Sequence, residues 1–108
     1  MKIFIDECVD WRLTRSFGQY YARTARQMGW SEVKNGKLLR QAAEIFDVFV
    51  TVDRGIEHQN NMQEIDIAVA ILMCRKNVLS ELLTLMPSLL EYIPRAIPNS
   101  ITYIRNGT

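Results

Sequence analysis

Three short apolar runs stand out along an otherwise mixed chain. They lie at residues 2–6 (KIFID), 48–52 (VFVTV) and 66–73 (DIAVAILM). None of them alternates strictly between apolar and polar positions, which is the pattern of strands that a parallel sheet buries on both faces. The runs therefore predict the central strands of an α/β fold.

Two other segments have helical periodicity, one before the second apolar run and one after the third. Apolar side chains recur at helical spacing through residues 35–46, where Asn35 is the expected N-cap. The same spacing returns through residues 79–93, with Asn77 or Ser80 as the expected N-cap. An interior proline is expected to bend or divide this second helix.

The remaining elements have weaker signals. Residues 10–17 predict a short helix closed by Gly18, residues 20–24 a strand, residues 25–34 a loop and residues 101–104 a last strand at the sheet edge. Strands that alternate with helices at this spacing predict a three-layer α/β sandwich with a mainly parallel central sheet.

Length and composition limit the protein class. The chain has 108 residues, of which 48% are hydrophobic, enough for one packed core, so we expect a single domain over residues 1–108. No apolar run approaches the roughly 20 residues that span a bilayer, and the chain starts in a strand instead of a signal segment. A cytoplasmic protein without a membrane segment is expected.

The two cysteines do not form a recognisable motif. Cys8 and Cys74 each lie beside an apolar stretch and lack the spacing of a CxxC or zinc site. Free buried thiols are therefore expected, with no role in function.

The net charge of +1 conceals a basic segment at residues 11–40. Against the single acid Glu32, it contains seven basic residues: Arg12, Arg15, Arg23, Arg26, Lys34, Lys37 and Arg40. Its aromatic residues are Trp11, Tyr20, Tyr21 and Trp30. Basic side chains among aromatics suit phosphate contact and base stacking in nucleic-acid binding. A solvated helix face with its aromatics in the core explains the same pattern, and both interpretations stay open.

Two aspartates mark the candidate site. Asp6 ends the first predicted strand and Asp53 follows the second, so both lie at the carboxyl edge of a parallel sheet, where such sheets bind ligands. Two close carboxylates tolerate each other most readily when they share a divalent cation, and Glu7 is a further candidate ligand. Asp47 and Asp66 start their strands, so topology places them at the opposite end.

The polar loop at residues 53–61 offers further candidates. Arg54 can contact a phosphate or can simply pair with Asp53, and we weigh these interpretations equally. His58 is the only histidine, but a lone loop histidine is more often a hydrogen-bonding residue than a general base. The amides at 59–61 can contact bases or cap turns, of which capping is the commoner role.

The order of these residues resembles a known family, the small PIN-like proteins. This reduced branch of the PIN-domain nucleases is often assigned to the toxins of bacterial toxin–antitoxin pairs. The resemblance rests on Ile5-Asp6-Glu7, Lys34-Asn35-Gly36-Lys37-Leu38-Leu39, Phe49-Val50-Thr51-Val52-Asp53-Arg54, His58-Gln59-Asn60-Asn61 and Asp66-Ile67-Ala68-Val69.

The resemblance implies a PIN-like fold and one or two Mg²⁺ or Mn²⁺ ions that serve the hydrolysis of RNA. Asp6 corresponds to the family's first acid and Asp53 to the acid of its Thr-x-Asp pattern, with Thr51 as a supporting hydroxyl. The residues then expected to contact RNA are Asn35, Lys37, Thr51, Arg54, His58 and Gln59.

One family feature is missing. Many relatives carry an acid at the start of the central helix, where this chain has Asn35, Gly36 and Lys37. Its candidate replacements are Glu7, Asp10, Glu32 and Glu57. The leading hypothesis is a metal-dependent ribonuclease toxin restrained by an antitoxin protein. The alternatives are a catalytically weakened RNA-binding module, and an interaction protein that pairs with itself as a homodimer or with a partner.

Overall fold

The computed structural model describes residues 1–106, except for the side chain of Asn35, and contains a five-stranded sheet. Every strand is parallel to its neighbours, in the order β2-β1-β3-β4-β5. The strands are β1 (Lys2–Ile5), β2 (Tyr21–Thr24), β3 (Val48–Thr51), β4 (Ala68–Leu72) and β5 (Ile101–Ile104). The predicted α/β class is confirmed, and the sheet is wholly parallel.

Helices cover both faces of this sheet. The α-helices are α1 (Ala25–Met28), α2 (Asn35–Ala43), α3 (Ile56–Gln59) and α4 (Leu79–Tyr92). The 3₁₀ helices are Trp11–Ser16, Met62–Glu64 and Ile93–Arg95. Within residues 1–106, no helix is both long enough and apolar enough to cross a membrane.

Burial on both faces explains why the strand sequences do not alternate. Ile3 and Ile5 face α4 and the first 3₁₀ helix, whereas Phe4 between them faces α1 and α2. Every residue of β3 and β4 is buried. Since neither face of these strands meets water, both sets of alternate positions are apolar.

The beginning of α2 differs from the prediction. The helix starts at Asn35, so that Lys34 occupies the N-cap position without a side-chain hydrogen bond. Asn35 was expected to be the N-cap, and that prediction is wrong by one residue. Leu38 N–H donates to the Lys34 carbonyl at 2.7 Å, which places the first helical hydrogen bond one residue earlier than the side-chain pattern indicated.

The beginning of α4 also corrects the sequence prediction. Val78 occupies the N-cap position, and Ser80 lies inside the helix. Asn77 does not cap it, because its side-chain amide donates to the Cys8 carbonyl oxygen at 2.6 Å. The helix continues through Pro87 as one element, so the expected division does not occur.

The predicted loop at 25–34 begins with a helical turn, α1. Thr24 Oγ1 accepts a hydrogen bond from Gln27 N–H at 3.2 Å, while Gln27 Oε1 accepts one from Thr24 N–H at 2.9 Å. This reciprocal capping box satisfies two backbone donors and starts the helix. The turn ends at Gly29, whose φ of 75° favours glycine. The Thr-x-x-Gln spacing was a readable signal that the prediction missed.

The strand order positions the candidate site. From β1 the chain moves outward to β2 and then returns to the other side of β1 to form β3. The carboxyl ends of β1 and β3 therefore flank the point where the direction of winding reverses. Open parallel sheets bind ligands at such a switch point, because the two connections diverge and leave a crevice there.

Candidate functional site at the carboxyl edge of the sheet

Asp6 and Asp53 lie on opposite sides of this switch point. Asp6 follows β1 directly, and its backbone N–H donates to the Val50 carbonyl of β3 at 2.9 Å, which continues the sheet ladder. Asp53 lies two residues beyond the end of β3. Both aspartates are half-buried, and they line one small cavity together with Leu38, Phe49, Ile56 and Gln59.

The hydroxyl of Thr51 connects the two aspartates. Thr51 is fully buried at the end of β3, and its Oγ1 donates to Asp6 Oδ2 at 2.8 Å. The same oxygen accepts a hydrogen bond from Asp53 N–H at 3.0 Å. A buried hydroxyl needs such partners, and here they orient one carboxylate and the backbone of the other.

The two carboxylates differ in how many acceptor sites remain. Asp6 accepts hydrogen bonds from Thr51 and from Glu7 N–H at 2.8 Å, and the Cys8 thiol lies 3.4 Å from its Oδ2. Asp53 accepts one, from Gly55 N–H at 2.9 Å, among the bonds of residues 1–106. A carboxylate has about four lone-pair sites, so Asp53 keeps more of them for a ligand.

Cys8 was expected to be a buried thiol outside the site, and the structure corrects this. Residue Cys8 is exposed, although its sulfur turns toward the site and lies 3.4 Å from both Asp6 Oδ2 and Thr51 Oγ1. Burial of the sulfur, and then the negative charge of Asp6, raise the pKa of the Cys8 thiol. Cys74 is free and half-buried.

Among the predicted RNA-contact residues, Gln59 shares the cavity with the aspartate pair. It lines the same cavity from α3. A Cβ at Gly55 would lie 3.3 Å from Asp53 Oδ1 and 3.6 Å from Gln59 Nε2. The absence of a side chain at Gly55 therefore leaves room between Asp53 and the Gln59 amide.

The charged candidates are surface residues that are adjacent in sequence to cavity-lining residues. Arg54, His58 and Lys37 are exposed, with Lys37 in the first turn of α2. No ion pair joins Arg54 to Asp53 in the part of the chain that the structure describes, so the pairing interpretation is not observed. Glu7 lines two open grooves beside the cavity instead of the cavity itself.

The loop amides after Gln59 have structural partners. Asn60 Nδ2 donates to the Ile56 carbonyl at 2.8 Å. Asn61 Oδ1 accepts from Gln63 N–H at 3.1 Å and so caps the second 3₁₀ helix. These contacts agree with the capping interpretation of the two residues.

Two of the candidate replacement acids are engaged elsewhere. Asp10 caps the first 3₁₀ helix and pairs with Arg12 at 2.7 Å. The hydrogen bonds from the Arg12 side chain and backbone lower the pKa of Asp10 to about 2. Glu57 accepts a hydrogen bond from the Tyr103 hydroxyl at 2.5 Å. Glu32 is exposed and lines a groove with Glu7 and Lys34.

The donor set suits only one kind of metal site. Within residues 1–106, no group of three or more His, Cys, Asp or Glu side chains is arranged to hold an ion. Asp6 and Asp53 provide two carboxylates with unused lone pairs. Mg²⁺ commonly binds through one or two carboxylates plus water and substrate phosphate, so these residues fit that open type of site.

The basic segment at residues 11–40 divides between the two interpretations. Trp30 is half-buried and packs against the core, with its ring centre 5.7 Å from that of Phe4 and 6.1 Å from that of Phe46. Trp11 is 56% exposed. One tryptophan therefore behaves as the core interpretation expects, and the other is available at the surface.

Comparison with known proteins adds no relative. No protein family matches the chain, and neither a curated protein nor a solved structure is detectably similar to it. The candidate site therefore stands on its own geometry, and the resemblance to PIN-like proteins stays a prediction.

Proposed function

We propose that this protein is a divalent-metal-dependent ribonuclease of the PIN-like type that acts on RNA in the cytoplasm. The observation that carries the proposal is the meeting of Asp6 and Asp53 at the switch point of the sheet, joined through the buried Thr51 hydroxyl. The resemblance supports the further proposal that the protein is a toxin restrained by an antitoxin protein.

The proposed roles follow from the lone-pair count. Asp53, with most of its acceptor sites unused, is the main ligand for Mg²⁺ or Mn²⁺, and Asp6 is the second ligand. Thr51 is a positioning residue that holds the Asp6 carboxylate at the cavity. A bound divalent ion supplies charge neutralisation at the phosphoryl oxygens and lowers the pKa of a bound water.

The surrounding residues bind the substrate in this proposal. Gln59 presents an amide at the cavity, where it contacts a ribose hydroxyl or a phosphate oxygen. Lys37 and Arg54 are exposed, each next in sequence to a residue that lines the cavity, and attract the RNA backbone by charge. His58 is exposed too, and the proposal assigns it substrate contact without acid–base chemistry.

The test is a calorimetric titration of the purified protein with MnCl₂, run beside cleavage of labelled single-stranded RNA. Asp6→Asn/Asp53→Asn is the test variant. Asp47→Asn/Asp66→Asn is the matched control, since it makes the same change of charge at the other end of the sheet. We expect binding and cleavage to disappear together in the test variant only. Intact RNA and no heat of binding with the wild-type protein would refute the proposal.

A second function is favoured by the missing third ligand. The proposed alternative is an RNA-binding module without hydrolysis, consistent with the lack of a three-ligand cluster in residues 1–106. It predicts that RNA binding persists in EDTA and weakens steeply with added salt, because bound RNA phosphates release counterions. Filter-binding assays across a salt series distinguish this function, and salt-independent retention would eliminate it.

A further inference from the structure

An open groove adjoins Asp6, and Asp53 is not among its lining residues. It has a volume of about 760 Å³, which lies in the usual range of small-molecule sites, roughly 300–1,000 Å³. Its lining includes Asp6, Cys8, Trp11, Arg12 and Asn77. The groove thus joins a candidate ligand of the proposed site to an exposed aromatic side chain.

Trp11 is placed on a well-supported element. It opens the first 3₁₀ helix, which is held to the sheet by the buried side chains of Leu13 and Phe17. The Asp10 side chain caps this helix through Arg12 N–H at 3.0 Å. Because the helix is anchored beneath it, the exposed indole borders the groove from a defined position.

One cation beside the indole is free to contact a phosphate, although the groove lining itself carries the acids Asp6, Glu7 and Asp10. The Arg15 guanidinium lies outside the groove lining and over one face of the Trp11 ring, 4.9 Å from its centre, which leaves the other face for a base. It forms no ion pair with any residue in the described range 1–106. Arg12, by contrast, is neutralised by Asp10. An unpaired guanidinium next to an exposed aromatic ring is the combination that binds a nucleotide by stacking and phosphate contact.

From this arrangement we infer that Trp11 is a stacking platform for one unpaired base of single-stranded RNA, with Arg15 on the neighbouring phosphate and the backbone leading to Asp6. The inference rests on the proposed function, since it assigns the substrate of that site. Duplex RNA cannot use the indole, because its bases are already stacked and do not expose a face to it, so that only its phosphates remain for Arg15.

Binding is measured by fluorescence anisotropy with a labelled oligouridine in EDTA, in the Asp6→Asn/Asp53→Asn background so that no cleavage intervenes. Stacking contributes about 1–3 kcal/mol per base, so we expect Trp11→Ala to weaken binding by about 5- to 150-fold. Trp11→Phe keeps an aromatic face and should lose less. Ile97→Ala is the control, because Ile97 is 67% exposed but lies before β5 at the opposite end of the sheet.

A second pair of probes separates stacking from charge. Trp11→Ala should not change the binding of an abasic oligonucleotide or of duplex RNA, whereas Arg15→Ala should weaken both. An equal loss on the abasic probe would overturn the inference. So would unchanged oligouridine affinity in Trp11→Ala, or no binding by the parent protein.

The outcomes distinguish this inference from the proposed nuclease. If the wild-type protein cleaves RNA and Trp11→Ala cleaves it with the same KM, the stacking platform is refuted and the nuclease proposal stands. Trp11-dependent binding without metal binding or cleavage would keep the platform and remove the nuclease. Acrylamide quenching of tryptophan fluorescence gives a further test. If quenching decreases as the protein concentration is raised but does not change when RNA is added, the surface binds a second copy of the chain and the inference is overturned.

Discussion

The two ends of the sheet carry similar residues that do different things. At the amino end, Asp47 accepts a hydrogen bond from Lys2 N–H at 2.8 Å, and Asp66 accepts one from Asn99 Nδ2 at 3.0 Å. Both carboxylates are exposed and hold neighbouring segments together. At the carboxyl end, two half-buried carboxylates meet at a cavity.

The difference arises from how the chain enters the strands at one end of the sheet and leaves them at the other. At the amino end, Asn99 Nδ2 also donates to the carbonyl oxygens of Met62 and Ile65, at 3.1 and 2.9 Å, so that one amide holds two incoming segments. At the carboxyl end the connections diverge and leave polar groups with unused acceptor sites. An aspartate therefore has a structural role at one end and the capacity to bind a ligand at the other.

The largest expected effect is the difference between substituting an aspartate at the carboxyl end and one at the amino end of the sheet. Asp53→Asn should abolish Mn²⁺ binding and RNA cleavage, since Asp53 has most of the unused acceptor sites. Asp66→Asn should leave both unchanged, because an amide oxygen can still accept the Asn99 hydrogen bond. Calorimetry and gel-based cleavage assays measure the two effects. Equal losses in the two variants would remove the functional contrast between the ends.

The next effect concerns the hydroxyl that joins the aspartates. Thr51→Val keeps the shape but leaves Asp53 N–H without its acceptor and Asp6 without its donor. We expect a loss of about 1–3 kcal/mol in the free energy of unfolding by urea. Mn²⁺ affinity should fall by about 10- to 100-fold, as for other groups that orient metal ligands. Thr51→Ser is the control and should retain both properties; full metal affinity in Thr51→Val would contradict the positioning role.

A purely structural effect is expected at the amino end. Asn99→Ala removes the amide that holds the Met62–Glu64 helix and places alanine at a φ of 63°. We expect urea unfolding to show a loss of about 1–3 kcal/mol, with Mn²⁺ affinity unchanged. Asn99→Gly tolerates this φ, so the difference between the variants reports the backbone strain of alanine, offset by the greater conformational entropy that glycine loses on folding. A change in metal affinity would show that the two ends are coupled.

The smallest expected effect is a pH response at Asp10. Its pKa is about 2 in the folded protein, below the ordinary 3.8, so its stabilising contribution is complete above pH 3.8 and lost as the pH falls through 2. Arg12→Ala should return the pKa toward 3.8, which carboxyl chemical shifts measured by NMR will follow. Arg95→Ala, which removes another exposed ion pair, should not move it. An unchanged Asp10 pKa in Arg12→Ala would exclude the ion pair as its cause.

Some features of the fold were predictable from local pattern. Residues 48–52 and 66–73 indicated strands because burial on both faces removes polar alternation. The helix beginnings were predicted less well, since Asn35 and Asn77 are both good capping residues by type. In the folded chain Asn77 binds the Cys8 carbonyl, a partner 69 positions away that no local pattern reveals.

The candidate site, too, was predictable from local pattern only in part. That Asp6 and Asp53 follow their strands was readable from the sequence, and so was their position at the carboxyl edge. The contact of Cys8 with Asp6 and the exposure of Trp11 were not, because they depend on how the first 3₁₀ helix packs against the sheet.

By itself, the sequence determined the α/β class, the edge of the sheet at which each aspartate lies, and the polarity of the loop after Asp53. These properties depend on the order of apolar and polar residues over a few positions. The tertiary structure alone decided that β3 pairs with β1, that Thr51 hydrogen-bonds both aspartates, and that Trp11 borders a groove with Asp6. Such contacts join residues far apart along the chain, and only the packing of the whole core selects them from the alternatives that local preferences allow.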